Sequence, residues 1–186
     1  MSPARLPLAW ERFLSLLPVF ALASVAALWL LGALTLGRLD GLIPTHFDGA
    51  GNPDHLSDAA SWWILPAIGT ALTALMFGVA RLLRWLVVHR PGLVNLPRKA
   101  AFVRLSPEAR ARIAPRLAQL VMGITVLVNL VLLAIIRDTY RVAVHEITRL
   151  AIWKLLVCFA LLLVWTVVGS LRVARAIRRE TQALAA

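Results

Sequence analysis

Leu42-Ile43-Pro44-Thr45-His46-Phe47-Asp48-Gly49-Ala50-Gly51-Asn52-Pro53-Asp54-His55-Leu56-Ser57-Asp58 is a polar segment, rich in Pro, Gly, Asp and His, set between two long apolar runs. It carries two of the four histidines, His46 and His55. Asp48, Asp54 and Asp58, with Asp40 just ahead, are four of the nine acidic residues of the chain. Upstream, residues 13–36 are apolar apart from Ser15, Ser24 and Thr35. At 1.5 Å per residue this run reaches roughly 36 Å, enough to cross a bilayer with some tilt. It exceeds the apolar region of about 7–15 residues that a cleavable leader carries, so an uncleaved first span is expected, kinked slightly or not at all by Pro18. Downstream, residues 62–88 make a second span, its start within reach of a cap from Ser57 or Asp58. Trp62 and Trp63 suit one membrane interface and Trp85 the other.

Composition supports membrane residence. Of 186 residues 60% are hydrophobic and 16% charged, and the mean hydropathy is +0.80. A water-soluble domain is nearer half apolar and a quarter charged. The formal charge of +11 would point to nucleic acid in a soluble protein. Here the basic residues flank the apolar runs, where they orient a membrane chain, and no nucleic acid partner is expected. Cys158 is the single cysteine and sits in an apolar run, which excludes an intrachain disulfide and a CxxC metal site.

Residues 89–116 hold Pro91-Gly92, Leu96-Pro97 and a basic set. Ser106-Pro107-Glu108 has the form of a helix start, with Ser at the cap and Pro in the first turn. A short surface helix is expected to follow, its arginines meeting anionic lipid headgroups at the cytoplasmic face. Residues 117–136 form a third span, in which Thr125 and Asn129 share a face and Asn129 is expected to bond a neighbouring helix. Residues 150–171 form the fourth. The small residues Gly69, Thr73, Ala74 and Gly78 permit close helix contact in the second.

The fold class expected is all-α: an integral membrane protein of four transmembrane helices. Residues 1–116 form a motif-bearing module (helices 13–36 and 62–88, polar loop 37–61, basic loop 89–116), and residues 117–186 a second helical hairpin with a basic tail. Fifteen Lys and Arg fall on the side of the termini and the stretch 81–116, against five (Arg38, Arg137, Arg141, Arg149, Lys154) on the other. The basic side is then cytoplasmic, both termini lie inside, and the polar loop faces outward from a multi-pass protein of the inner (plasma) membrane.

Several catalytic patterns fail on a single residue. His145-Glu146-x-x-Arg149 puts arginine where a second zinc-binding histidine is required. Gly49-Ala50-Gly51 begins a dinucleotide fingerprint that Asp54 breaks. Asp48, Asn52 and Asp54 have calcium-loop spacing, but Ala59 stands at the twelfth position in place of Glu. No carboxylate or His lies mid-span, which argues against a proton-coupled pump. His46, Asp48, Asp54 and His55 are ligand types for a divalent metal, yet they match a structured turn better, in which Asp and Asn bond nearby backbone, Gly supplies positive φ and Pro fixes it. No metal and no cofactor are expected.

Ile43-Pro44-Thr45-His46-Phe47 followed by Gly51-x-Pro53-Asp54 resembles the I-P-x-H-F…G-x-P-D signature of a bacterial membrane-protein family catalogued as domain of unknown function sixteen-forty-eight. That module also forms the N-terminal part of SdpI-type immunity proteins. Asn95-Leu96-Pro97-Arg98-Lys99 and Ser106-Pro107-Glu108-Ala109-Arg110 are similar to the N-L-P-x-K…P-E-x-R segment of many members. The resemblance covers about residues 14–116. Arg98 stands where members often have Asn, Ala101-Phe102 replaces the usual Tyr-Trp, and the second half lacks the G-I-R-x-P-W-T signature of full SdpI proteins. The resemblance implies an integral membrane protein, and these departures count against a direct SdpI-like immunity role.

The functional reading is a non-enzymatic membrane protein that binds or senses a peptide or protein partner at its outer face. Its candidate binding residues are Pro44, His46, Phe47, Asp48, Gly51, Pro53 and Asp54. Two alternatives stay open: a membrane-interface enzyme using His46, Asp48 and Asp54, and a small transporter. Residues 38–58 carry a net charge of −3 and residues 137–154 a net charge of +2. The loop is therefore expected to fold back onto the connection between the third and fourth helices, with His46 bonded to a carboxylate or carbonyl and Phe47 dipping toward apolar helix ends.

Overall fold

The computed structural model describes residues 9–39 and 41–183. Asp40, counted above with the polar segment, lies outside what is described. Four helical segments are long and apolar enough to cross a membrane: Leu17–Leu36, Ala59–His89, Pro107–Ala143 and Ile152–Ala183. This is the architecture of a multi-pass membrane protein.

The first apolar run is two helices, α1 (Ala9–Ser15) and α2 (Leu17–Leu36). The break at Leu16 follows from Pro18, which has no N–H to return to the preceding turn. A 3₁₀ turn at Ala59–Trp63 leads into α3 (Ile64–His89), and Asp58 caps it by accepting from the Ala60 N–H at 3.0 Å. Trp62 is not at a lipid interface. It is buried, and its indole donates to the Gly32 carbonyl (3.1 Å) and the Thr35 hydroxyl (3.2 Å) of α2. Trp63 stacks on Trp29 at 5.5 Å.

The basic connection is folded against the bundle. A short α4 (Lys99–Val103) places Phe102, fully buried, beside Val87, Ile113 and Ile177. α5 (Pro107–Ala143) starts as expected, with Ser106 accepting from the Ala109 N–H at 3.3 Å. It does not divide into a surface helix and a third span. It runs unbroken for 37 residues, about 56 Å at 1.5 Å per residue. Pro115 removes one hydrogen bond, but Ile113, Ala114 and Leu117 on either side are packed against Val173, Ala176 and Ile177 of α6 (Ile152–Ala183), which holds the turn in place. The same packing extends α6 to Ala183, well past the apolar stretch that ends near Leu171. The Arg112–Glu180 pair closes the far end with two hydrogen bonds of 3.0 and 2.6 Å.

α5 is the central helix and packs on α2, α3 and α6. Asn129 is buried at its middle and donates to the Ser24 hydroxyl of α2 (3.0 Å) and the Thr73 hydroxyl of α3 (2.9 Å). One amide therefore joins three helices, the cross-helix role expected of it. Against α6, Gly123 leaves room for the Trp165 ring, whose indole donates to the Leu120 carbonyl at 3.0 Å.

The polar loop is not irregular. It forms a two-stranded antiparallel hairpin, β1 (Ile43–Phe47) and β2 (Pro53–Ser57), so the fold is helical with one small sheet and not purely all-α. Pro44 and Pro53 hide the strands from a pattern reading. Both are tolerated because the sheet has only two strands, each with a free edge, and Pro53 opens its strand.

Candidate functional site

The hairpin tip is organised by Asp48. Its Oδ1 accepts from the backbone N–H of Ala50 (2.9 Å) and of Asn52 (2.8 Å), and its Oδ2 from the Asn52 side-chain amide (3.0 Å). The Asp48 carboxyl is held below the ordinary aspartate pKa, first by the Asn52 side chain and then by the Asn52 backbone N–H. A depressed native pKa stabilises the turn above the unfolded-state value, and the effect is lost as pH falls through the folded one. A titration of the Asp48 carboxyl carbon by NMR should show a midpoint below that of a model peptide. Asn52→Ala should move it up toward the peptide value. An unchanged midpoint in that variant would remove Asn52 from the account.

Gly51 has φ +86°, a left-handed conformation open to glycine. Its carbonyl accepts from the Leu150 N–H at 2.8 Å, and a Cβ on Gly51 would overlap the Leu150 carbonyl oxygen. At the base of the hairpin, Ile43 is buried with Leu28, Trp62, Leu132 and Ile136. Phe47 borders a recess of about 130 Å³ with Ile64, Leu65 and Ile135 at the helix ends. The hairpin thus rests on the α5–α6 connection, as its position suggested, but not by the charge pairing that motivated the expectation. Among the described residues, the ion pairs that form here each stay within one segment. Arg141 bonds Glu146 (3.0 Å), Lys154 bonds both oxygens of buried Asp138 (2.8 Å each), and Asp54 bonds His46. Backbone hydrogen bonding and apolar burial carry the docking.

His46 Nδ1 lies 2.5 Å from Asp54 Oδ1, and His46 and His55 pair across the two strands. An ionised carboxylate only accepts, so Nδ1 carries the proton and Nε2 is left to meet another molecule. The side chains are 68% and 46% exposed, so the dyad projects into solvent and is not set in a crevice. A cleft of about 640 Å³ lies between the hairpin tip and the α5–α6 connection, and is lined by Gly49, Ala50, Arg141, Arg149, Trp153 and Lys154. Neither His46 nor Asp54 borders it.

Of the candidate residues, the fold brings His46 and Asp54 together and assigns Asp48, Gly51 and Pro53 to the shape of the hairpin. Pro44 and Phe47 pack at its base. Among the described residues no three His, Cys, Asp or Glu side chains converge as metal ligands do. Sequence reasoning missed Asp138 and its bond to Lys154. Sixteen residues separate them, so no helical spacing links them, although Lys154 at the start of an apolar run marked a cation in need of a counter-charge.

The chain matches no family model, and no solved structure matches it. A stretch of 76 residues is 34% identical to an uncharacterised protein of Archaeoglobus fulgidus. The match covers 41% of this chain and 42% of that protein, so the shared region is less than half of either.

Proposed function

We propose that this is a recognition protein of the inner (plasma) membrane, with both termini in the cytoplasm, and that its hairpin presents His46 and Asp54 to a peptide or protein partner outside. One observation carries the reading: an exposed His–Asp pair on a hairpin fixed to the bundle by the Gly51–Leu150 hydrogen bond. A rigid mount lowers the ordering cost of binding, and a protonated Nδ1 leaves Nε2 free for a donor or acceptor on the partner. Arg149 beside the tip adds positive charge for an acidic partner. The positive-inside partition supports the orientation, and the basic residues of 89–116 then face anionic headgroups at the cytoplasmic surface. The I-P-x-H-F…G-x-P-D hairpin supports kinship with the membrane family named above, in a signalling setting.

The 2.5 Å dyad also favours a second reading, an interfacial enzyme in which Asp54 orients His46 as a base. Asp48 does not join that dyad, since its oxygens serve the tip turn. Neither His46 nor Asp54 lines the cleft beside the hairpin tip, which supports recognition over catalysis.

In a Cys158→Ala background, Ala50→Cys should label from outside in intact cells and Ala183→Cys only after lysis. The reverse pattern would invert the orientation. His46→Ala and Asp54→Ala should each abolish partner-dependent function while folded protein accumulates normally. Equal loss of folded protein in both variants would assign the dyad to structure alone.

A further inference from the structure

Arg81 and Arg84 stand three residues apart on one face of α3, and neither belongs to an ion pair among the described residues. Both border a crevice of about 540 Å³ whose walls include Pro18 of α2, Phe77 of α3 and Met122 of α5. Past Arg84 it continues into a recess of about 210 Å³ beside Leu14 and Pro115. The crevice lies at the break between α1 and α2. Nothing stands within 4 Å of a Cβ built on Gly78, so one wall is open helix backbone.

Depth makes these arginines unusual. Trp63 at the head of α3 stacks on Trp29, and Trp85 near its end stacks on His89 at 5.2 Å, two aromatic pairs of the kind that mark membrane interfaces. Arg81 is eighteen residues beyond Trp63, about 27 Å along the helix, in a hydrocarbon core about 30 Å thick. It therefore starts inside the apolar layer, and Arg84 lies at its boundary. Snorkelling carries Arg84 to the surface easily, whereas Arg81 begins one turn deeper. An intramembrane guanidinium without a carboxylate is costly, and among the described residues no carboxylate lines the crevice or its recess.

We propose that this crevice binds an anionic phospholipid. Its phosphate bridges the guanidiniums of Arg81 and Arg84, and one acyl chain lies along Phe77 and Met122. Guanidinium forks match phosphate oxygens in pairs, and basic recesses between membrane helices are suited to acidic headgroups. The leaflet rests on the orientation proposed above and is the cytoplasmic one; binding itself does not depend on that orientation.

Native mass spectrometry of the full chain, released from detergent with added phosphatidylglycerol or phosphatidylcholine, tests the site. One phosphatidylglycerol should persist under activation that strips phosphatidylcholine, with affinities differing by at least about tenfold. Arg81→Gln/Arg84→Gln should remove that preference by cancelling charge, and Gly78→Leu should remove it by filling the crevice with both arginines intact. Arg81→Lys, which keeps the charge and loses the fork, should weaken it and serves if the double variant does not fold. Equal retention of the two lipids, or undiminished preference in Gly78→Leu, would overturn the proposal. Displacement of the lipid by millimolar inorganic phosphate would assign the crevice to a free anion instead. Cysteine labelling that inverted the topology would change the leaflet and leave these outcomes as they are.

Discussion

Lys154→Met should destabilise the folded protein by about 3 kcal/mol, at the lower end of what removing one partner of a buried ion pair costs. Asp138 is 2% exposed and its carboxylate oxygens each accept from Lys154 Nζ at 2.8 Å. Without the ammonium, a carboxylate stays shut in the α5–α6 corner with no counter-charge. The Lys154 side chain is 25% exposed, and partial hydration keeps the loss near the bottom of the range. The double variant Asp138→Leu/Lys154→Met should recover most of it, because a pair replaced by apolar groups loses attraction and desolvation cost together. Reversible unfolding in detergent, followed by tryptophan fluorescence, measures both. A single variant as stable as the parent, or a double variant with the two single losses simply added, would show that the pair is not coupled. The effect reaches the hairpin as well. The pair fixes the first turn of α6 on the end of α5, and Leu150, two residues before α6, supplies the N–H that holds the Gly51 carbonyl.

Bulk hydrophobicity made the four spans readable, and local chemistry made several details readable too. Ser106-Pro107 announced the start of α5, Asn129 had to face other helices, and Asp58 was a suitable cap. Helix ends were harder. Apolar content fades near Leu117 and Leu171, but a helix continues as long as one face is packed, and Ile113 and Ile177 are fully buried beyond those points. The hairpin was hidden because five-residue strands with Pro44 and Pro53 carry little periodic signal, and their pairing depends on a turn that Asp48 and Gly51 build together. The docking position followed from opposite net charges on residues 38–58 and 137–154, yet the ion pairs that form among the described residues there stay within their own segments. Net charge is a sum over a segment and does not say which groups meet. Short-range partners such as Glu146 for Arg141 and Asp54 for His46 lie five and eight residues away and close less chain than a cross-segment pair would.

Gly51→Val should release the hairpin from the bundle without unfolding the helices. At φ +86° a side chain already costs about 1–2 kcal/mol, and a β-branched one is worse placed than alanine. The added Cβ also overlaps the Leu150 carbonyl oxygen, which belongs to backbone beside the start of α6 and cannot turn aside as a side chain would. The tip must lift, and the 2.8 Å hydrogen bond from Leu150 to Gly51 is lost with it. Amide exchange at Leu150 should then accelerate by at least about tenfold, the equivalent of 1.4 kcal/mol, while amides in the middle of α3 and α5 keep their protection. Gly49→Ala is the control, since no neighbour stands within 4 Å of a Cβ there and its φ is not in the left-handed range. It should leave Leu150 protected. If recognition needs the rigid mount, Gly51→Val abolishes partner binding although His46 and Asp54 are untouched, because a loose hairpin must be ordered again on binding. Leu150 protection equal to that of the parent would show that the tip tolerates a side chain, and the glycine would lose its place in the docking. Protection lost with binding retained would separate the two roles: the contact would belong to the fold, and recognition would require only the His46–Asp54 pair.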